Sequence, residues 1–148
     1  MQSSPTHIPN FEEFKTMLRR HGLKATSQRL AVHGAMMELV HASAEMVAEK
    51  IAATSQVKIT QSSVYNILSQ LALHGIYRNR LSTTNKMFFD VCNSKHLHMY
   101  DMERHTYRDL VGDEHFALLQ ESLGKRRFRG YKVEGVDVVI LARPNKKR

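Results

Sequence analysis

Residues 60–75 read TQSSVYNILSQLALHG, a segment with the pattern of a helix that packs on one side. Its apolar side chains recur at the spacing of a single buried helical stripe: Val64, Ile67, Leu68 and Leu71. Thr60 is a residue type that caps helix N-termini, and Gly75 is typical just after a helix ends. The other face is polar, so the segment predicts an amphipathic helix with hydrogen-bonding groups on its outer side.

The sequence on both sides of this helix predicts a winged helix-turn-helix. Upstream, one helix is predicted over about Phe11–His21, a second is capped by Thr26 and a third by Ser43. Downstream, Ile76–Leu81 and Lys86–Val91 have the pattern of strands around a polar turn. In a helix-turn-helix motif the later of the two helices enters the major groove of DNA. Here that helix is the fourth predicted helix of the chain, the one that begins after Thr60.

The C-terminal half mixes strands with a helix. Strands are predicted over Lys95–Tyr100 and His105–Leu110, a helix over Asp113–Leu123, and a last strand over Tyr131–Ala142. We expect this last strand to be held by burial of its alternate apolar side chains: Val136, Val138 and Ile140. The predicted fold class is therefore α+β, with an N-terminal winged helix-turn-helix and a C-terminal α/β domain.

The order of these elements predicts two domains. The winged-helix domain would cover 1–91, and its first residues, 1–10, are expected to be disordered because prolines lie there among polar residues. A hinge is predicted at 92–94 and a second domain over 95–148.

The composition limits which classes of partner and of metal site the chain can have. A net charge of +8 over 148 residues favours a polyanionic partner such as nucleic acid, although a soluble basic protein would show the same balance. The single cysteine, Cys92, excludes an internal disulfide and any zinc site made of several cysteines in one chain. There is no apolar run long enough to span a membrane and no basic-then-apolar leader, so we expect a cytoplasmic protein without membrane contacts.

The candidate DNA contacts fall into two groups. Side chains on the outer face of the helix could reach base edges or phosphates: Ser62, Ser63, Tyr65 and Asn66. Cations nearby in the predicted fold are candidates for phosphate contact: Lys24, Arg29, Arg78, Arg80 and Lys86. On the helix pattern alone, an ordinary amphipathic surface helix is an equally good interpretation.

Asp90 lies just upstream of the stretch His96-Leu-His98, and Asp109 follows. Two histidines spaced by two on a strand send both imidazoles to one face. Imidazoles with carboxylates suit a divalent metal such as Fe²⁺, Mn²⁺ or Zn²⁺. The alternative is that these are solvated surface histidines.

A set of ordered motifs resembles the ferric uptake regulator (Fur) family. The set spans roughly residues 11–143 and consists of LRRHGLKATSQRL (Leu18–Leu30), HASAE (His41–Glu45), SVYNIL (Ser63–Leu68), Gly75-Ile76, Phe89-Asp90 and the His96–His98 pair. The resemblance implies a dimeric, metal-dependent transcriptional regulator, not an enzyme. It also implies an N-terminal winged helix and a C-terminal α/β dimerisation domain.

Carried over residue by residue, the resemblance assigns roles at the DNA and at a metal. Tyr65 matches the tyrosine that contacts thymine, and Asn66 stands where arginine is usual, so operator preference is expected to be shifted. One divalent metal ion per subunit would be bound by five residues: His41, Asp90, His96, His98 and Asp109. This ligand set is similar to that of the peroxide-sensing branch, and the iron- and manganese-sensing branches use similar sets.

The chain departs from the family at its structural zinc site, which uses four cysteines. Asp101–Arg104 stands in place of one cysteine pair and Ala142–Asn145 in place of the other. Lys95 and Leu97 occupy positions that supply ligands to a further metal site in many members, so no such site is expected here.

Other functions remain open on the sequence. Cys92 could ligate haem in a haem-responsive regulator, although Asn93 follows it where a Cys-Pro motif would have proline. A metal-independent DNA binder and a small metallohydrolase are further alternatives, and no separate general base supports the hydrolase. The leading hypothesis is a homodimeric repressor whose binding to operator DNA is controlled by the metal.

Overall fold

The computed structural model describes residues 7–91, 97–110, 114–133 and 138–146. These residues cluster into two compact units, one within His7–Asn93 and the other within Ser94–Arg148. The predicted hinge at 92–94 lies outside the described residues. No helix in the described part of the chain is both long and apolar enough to cross a membrane.

The helices of the first unit begin where the sequence places their caps. The helices are α1 (Phe11–Arg20), α2 (Ser27–Leu39), α3 (Ala44–Thr54) and α4 (Gln61–Leu73). The side chains of Thr26, Ser43 and Thr60 each accept a hydrogen bond from a backbone N–H three residues further on. Gly75 follows α4 with φ of +74°, which confirms the predicted stop, and Gly22 follows α1 in the same way with φ of +69°.

The wing is a small antiparallel sheet of β1 (His41–Ala42), β2 (Arg78–Leu81) and β3 (Met87–Asp90), in the order β1-β3-β2. The hairpin of β2 and β3 was predicted, with strands somewhat longer than observed. The strand β1 was not predicted, because two residues are too few to show a period. It pairs with the last residues of β3 and so fixes the end of α2 against the wing.

The core of the first unit lies between the helices and the wing. The predicted stripe on α4 is confirmed, since Val64, Leu68 and Leu71 are fully buried and Ile67 is half-buried. Other fully buried side chains come from the remaining elements, among them Phe14, Leu18, Val32, Met36 and Val47. The outer face of α4 is thereby left to solvent.

A buried histidine joins three parts of this unit. His33 on α2 is fully buried and stacks on the ring of Phe14, with centroids 4.0 Å apart. Its Nε2 lies 2.7 Å from the carbonyl oxygen of Pro9, and its Nδ1 lies 2.6 Å from the hydroxyl of Tyr77. Because a carbonyl only accepts, Nε2 carries the proton and the Tyr77 hydroxyl donates to Nδ1. Burial lowers the pKa of His33 to about 4, against the smaller opposing effect of the Pro9 carbonyl.

The expectation of disorder over 1–10 is wrong for its last residues. Besides the bond from His33 to Pro9, Asn10 caps α1. Its side chain accepts from the backbone N–H of Glu13, whose carboxylate accepts from the backbone N–H of Asn10. Residues 1–6 lie outside the described part of the chain.

The second unit contains β4 (Leu97–Asp101), β5 (Thr106–Leu110), α5 (Glu114–Gly124) and β6 (Val139–Ala142). Its sheet has the order β5-β4-β6, with β5 antiparallel and β6 parallel to β4. The five helices and two small sheets of the described residues confirm the predicted α+β class.

The last strand departs from its prediction in length and in support. Tyr131 is not part of it but pairs with Phe128 across a tight turn in which Gly130 has φ +82°. Ile140 is 42% exposed, so the expectation that burial of this side chain holds the strand is wrong. Backbone pairing with β4 holds the strand instead.

The burial of His33 gives the stability of the protein a specific dependence on pH. Above about pH 6.5 this histidine is neutral in both folded and unfolded chains. Between about pH 6.5 and 4 the unfolded chain binds a proton that the folded chain does not, so the free energy of unfolding falls, by on the order of 3 kcal/mol. Urea unfolding across this pH range measures the loss.

A double variant, His33→Phe with Tyr77→Phe, removes the titrating group together with its buried partner. We expect its stability to depend less steeply on pH over the same range. The control His21→Phe changes an exposed histidine after α1 and keeps the steeper dependence. Equal slopes in all three proteins would contradict the assignment.

Candidate metal centre and nucleic-acid interface

The outer face of α4 presents the side chains predicted to read DNA. Ser62 and Asn66 are exposed, and Tyr65 is 46% exposed. Ser63 is already hydrogen-bonded within the protein, because its hydroxyl accepts from the Thr60 hydroxyl at 3.0 Å at the start of α4. Ser62, Tyr65 and Asn66 are therefore the more available members of the set.

Tyr65 is fixed by the wing. Its ring meets that of Phe89 edge to face, with centroids 6.1 Å apart. Phe89 is buried and lies on β3, so α4 and the wing share an aromatic contact at the position that matches the base-contacting tyrosine. A ring held on one side and open on the other is suited to contact a thymine methyl group.

Two of the predicted phosphate-contacting cations are already bonded within the protein. Arg29 donates to the backbone carbonyl of Lys24 at 2.7 Å and to the side-chain oxygen of Gln70 at 2.8 Å. Lys86 forms an ion pair of 2.9 Å with Glu45. Arg29 thus links the start of α2 to α4, and Lys86 links the turn between β2 and β3 to α3.

The remaining predicted cations differ in exposure. Lys24 and Arg78 are exposed, and Arg80 is half-buried. Gln70 and Glu45 could not be recognised as partners from the sequence, because their positions opposite Arg29 and Lys86 depend on how the helices pack.

The first unit brings two of the predicted metal ligands together. His41 on β1 is the register partner of Asp90 on β3. Both side chains are buried, and Nδ1 of His41 lies 3.6 Å from Oδ2 of Asp90. Residues directly opposite in an antiparallel pair have side chains on the same face, so the pairing itself brings imidazole and carboxylate together.

His41 follows a residue with an unusual backbone. Val40 has φ +63° and ψ −55°, a region that β-branched residues rarely adopt. Its N–H donates to the carbonyl of Met36 at the end of α2, and its carbonyl accepts from the N–H of Val91. The chain therefore turns sharply at Val40 from α2 into β1.

The second unit contains another predicted pair. His98 on β4 is the register partner of Asp109 on β5. His98 is buried, and its ring meets Tyr107 edge-on at 6.5 Å between centroids. The side chain of Asp109 is not described, and His96 and Cys92 lie outside the described residues.

The first unit is a winged helix-turn-helix, a domain type with which many transcription regulators bind DNA. The profile of the Ferric uptake regulator family matches residues 20–139, so the chain belongs to this family. Its members are metal-responsive transcription regulators rather than enzymes. The single cysteine of this chain cannot build the four-cysteine zinc site.

Solved structures of regulators have the same fold. The chain is similar to the ferric uptake regulator of Pseudomonas aeruginosa solved with manganese, at 23% identity and TM-score 0.70, covering 89% of this chain and 98% of that one. The Vibrio cholerae ferric uptake regulator is 19% identical with a TM-score of 0.73, covering 88% of this chain and 99% of that one. The Campylobacter jejuni peroxide stress regulator is 25% identical with a TM-score of 0.63, covering 92% of this chain and 99% of that one. Among curated proteins, no sequence matches the chain.

The bonds of Arg29 predict that it stabilises the first unit even without DNA. Arg29→Met should lower the free energy of unfolding by about 1–3 kcal/mol, because it removes two hydrogen bonds from a charged donor. Lys24→Met is the matched control, with an expected effect within about 0.5 kcal/mol at an exposed position. Urea unfolding of the free protein tests this, and equal stability of the two variants would show that the bonds of Arg29 are not structural.

Proposed function

We propose that the protein is a homodimeric, metal-responsive transcriptional repressor that binds operator DNA in the cytoplasm. The observation that carries the proposal is the buried His41–Asp90 pair on the strands behind the DNA-reading helix. An imidazole and a carboxylate held together in a buried position are donor types that divalent transition metals bind. The proposed ligand is a divalent cation, because the regulators of this family respond to metals.

The geometry of the pair fits a metal ion. Ligand bonds of about 2.1 Å at tetrahedral or octahedral angles place two ligand atoms roughly 3.0–3.4 Å apart. The 3.6 Å between Nδ1 of His41 and Oδ2 of Asp90 is close to that separation. Nitrogen and oxygen donors together suit Fe²⁺, Mn²⁺ or Zn²⁺.

We propose that His96, His98 and Asp109 complete the ligand set from the second unit. The register partnership of His98 with Asp109 supports this, because it repeats the His–Asp pairing of the first unit on a separate sheet. A bound divalent ion supplies the positive charge that ligands of both units share. Ligands drawn from both units would favour one arrangement of the units over others, which is a population shift.

The proposed link to DNA runs through β3. Asp90 belongs to the ligand set, and its neighbour Phe89 contacts Tyr65. Tyr65 and Asn66 would read base edges, with Asn66 suited to adenine. Exposed cations such as Lys24 and Arg78 would contact phosphates and give affinity without sequence choice.

The proposed homodimer would use the second unit. Large apolar side chains are exposed there on α5 and β6: Leu118, Leu119, Leu123, Ile140 and Leu141. Exposed apolar surface of this extent on a small unit marks an interaction site. A second copy would cover it and would present two DNA-reading helices to successive major grooves.

Metal dependence is tested by DNA binding. Operator duplexes are first selected from random sequences with the metal-loaded wild-type protein, and affinity is then measured by fluorescence anisotropy. After chelation we expect affinity to fall about 5–150-fold and to return with Fe²⁺ under anaerobic conditions, Mn²⁺ or Zn²⁺. His41→Ala and His98→Ala should each abolish the return.

The matched control for these variants is His115→Ala, which removes an exposed histidine on α5. It should keep the metal response. Equal operator affinity with and without metal, unchanged in both ligand variants, would refute the metal switch and favour a constitutive DNA binder.

The dimer is tested by sedimentation. Wild-type protein should sediment at twice the mass of one chain. The double variant Leu119→Glu with Leu123→Glu should sediment as a monomer, because two charges among the exposed leucines of α5 oppose apolar association. Leu73→Glu, at a more exposed leucine in the first unit, is the control and should remain dimeric. A wild-type monomer at micromolar concentration would contradict the dimer.

A further inference from the structure

Two segments that stand in place of cysteine pairs meet in the second unit. The parallel pairing of β4 with β6 places Asp101 opposite Ala142. The next backbone N–H, of Met102, donates to the carbonyl of Ala142 at 2.8 Å. The turn after β4 and the segment after β6 are therefore adjacent, whatever side chains they carry.

These segments line an open cavity of about 290 Å³. Three arginines line it, Arg104, Arg108 and Arg143, together with one acidic residue, Asp101. Met99 and Pro144 contribute apolar surface. The described lining therefore has an excess of positive charge beside an apolar wall.

The carboxylate of Asp101 has a structural task. Its Oδ1 accepts from the backbone N–H groups of Glu103 and Arg104 at 2.9 and 3.0 Å, which holds the turn after β4. These bonds and the charges of Arg104 and Arg108 lower the pKa of Asp101. Asp101 thereby fixes the backbone that carries Arg104 to the cavity.

We propose that this cavity binds a small dianion, either a phosphorylated compound or a dicarboxylate. Guanidinium groups pair with carboxylate and phosphate through two parallel hydrogen bonds, which gives geometric selectivity. The volume lies at the lower end for ligand pockets, so the ligand would be small. Because Met99 of the middle strand β4 lines the cavity, a bound ligand would also affect the sheet.

Occupancy would stabilise the last strand. The cavity is lined from β4, from β5 through Arg108, and from the segment after β6 through Arg143. A dianion shared by these arginines connects all three strands. It adds to the backbone pairing that holds β6, whose side chains are partly exposed.

The test uses full-length protein with inorganic phosphate and with succinate as probes, each against chloride at equal ionic strength. Calorimetry should give saturable binding of one probe per chain, and the same probe should raise the Tm. Arg108→Gln with Arg143→Gln should weaken binding at least about tenfold. Arg126→Gln with Arg127→Gln removes the same charge from the loop after α5 and should leave binding unchanged.

A second variant, Ala142→Leu, reduces the volume of the cavity without changing charge and should also weaken binding, which separates occupancy from general electrostatics. Saturation by phosphate alone assigns a phosphoryl ligand, and saturation by succinate alone assigns a dicarboxylate. Equal weakening by the two arginine pairs, or no probe bound more tightly than chloride, would overturn the proposal.

Discussion

The antiparallel pairing of His41–Ala42 with Phe89–Asp90 is the constraint on which the first unit depends. It attaches the end of α2 to β3, and the backbone register alone places the imidazole of His41 beside the carboxylate of Asp90. Successive residues of a strand have side chains on opposite faces. On β3 this separates Phe89, which contacts Tyr65 of α4, from its neighbour Asp90, which pairs with His41. Asp90 is therefore the immediate neighbour of the residue whose ring contacts α4.

The positive charge of the chain is not all available to a polyanion. Arg29 is held by Lys24 and Gln70, and Lys86 is held by Glu45. These bonds shape the surface from which the exposed cations would contact DNA. A net charge of +8 therefore describes the long-range attraction of the protein better than it describes its direct contacts.

The sequence predicted those parts of the fold that local rules determine. Thr26, Ser43 and Thr60 cap helices because an oxygen at that position satisfies a free N–H, and the α4 stripe follows from helical spacing. The strand β1 could not be found in this way, because two residues have no period and their pairing depends on β3. The burial of His33 was missed for a related reason, since its partners Pro9 and Tyr77 are distant in sequence.

In the candidate site, too, residues with a local motif were predictable, and features that depend on strand pairing were not. The motif spacing pointed to Asp90 and His98, and the family resemblance added His41. The structure adds that each histidine is the register partner of an aspartate on the neighbouring strand. The length of β6 and the exposure of Ile140 were not predictable from a β-prone run, because residue preference does not reveal which face a neighbour covers. The meeting of Asp101 with Ala142 likewise follows from sheet order and not from either segment alone.

The backbone of Val40 has an energetic consequence for this corner. A β-branched residue at positive φ raises the energy of the folded state by about 1–3 kcal/mol, and the bonds to Met36 and Val91 hold it there. That energy is recovered whenever the short strand separates from its neighbour. Local opening next to His41 is therefore easier than the hydrogen bonds of this corner alone would indicate.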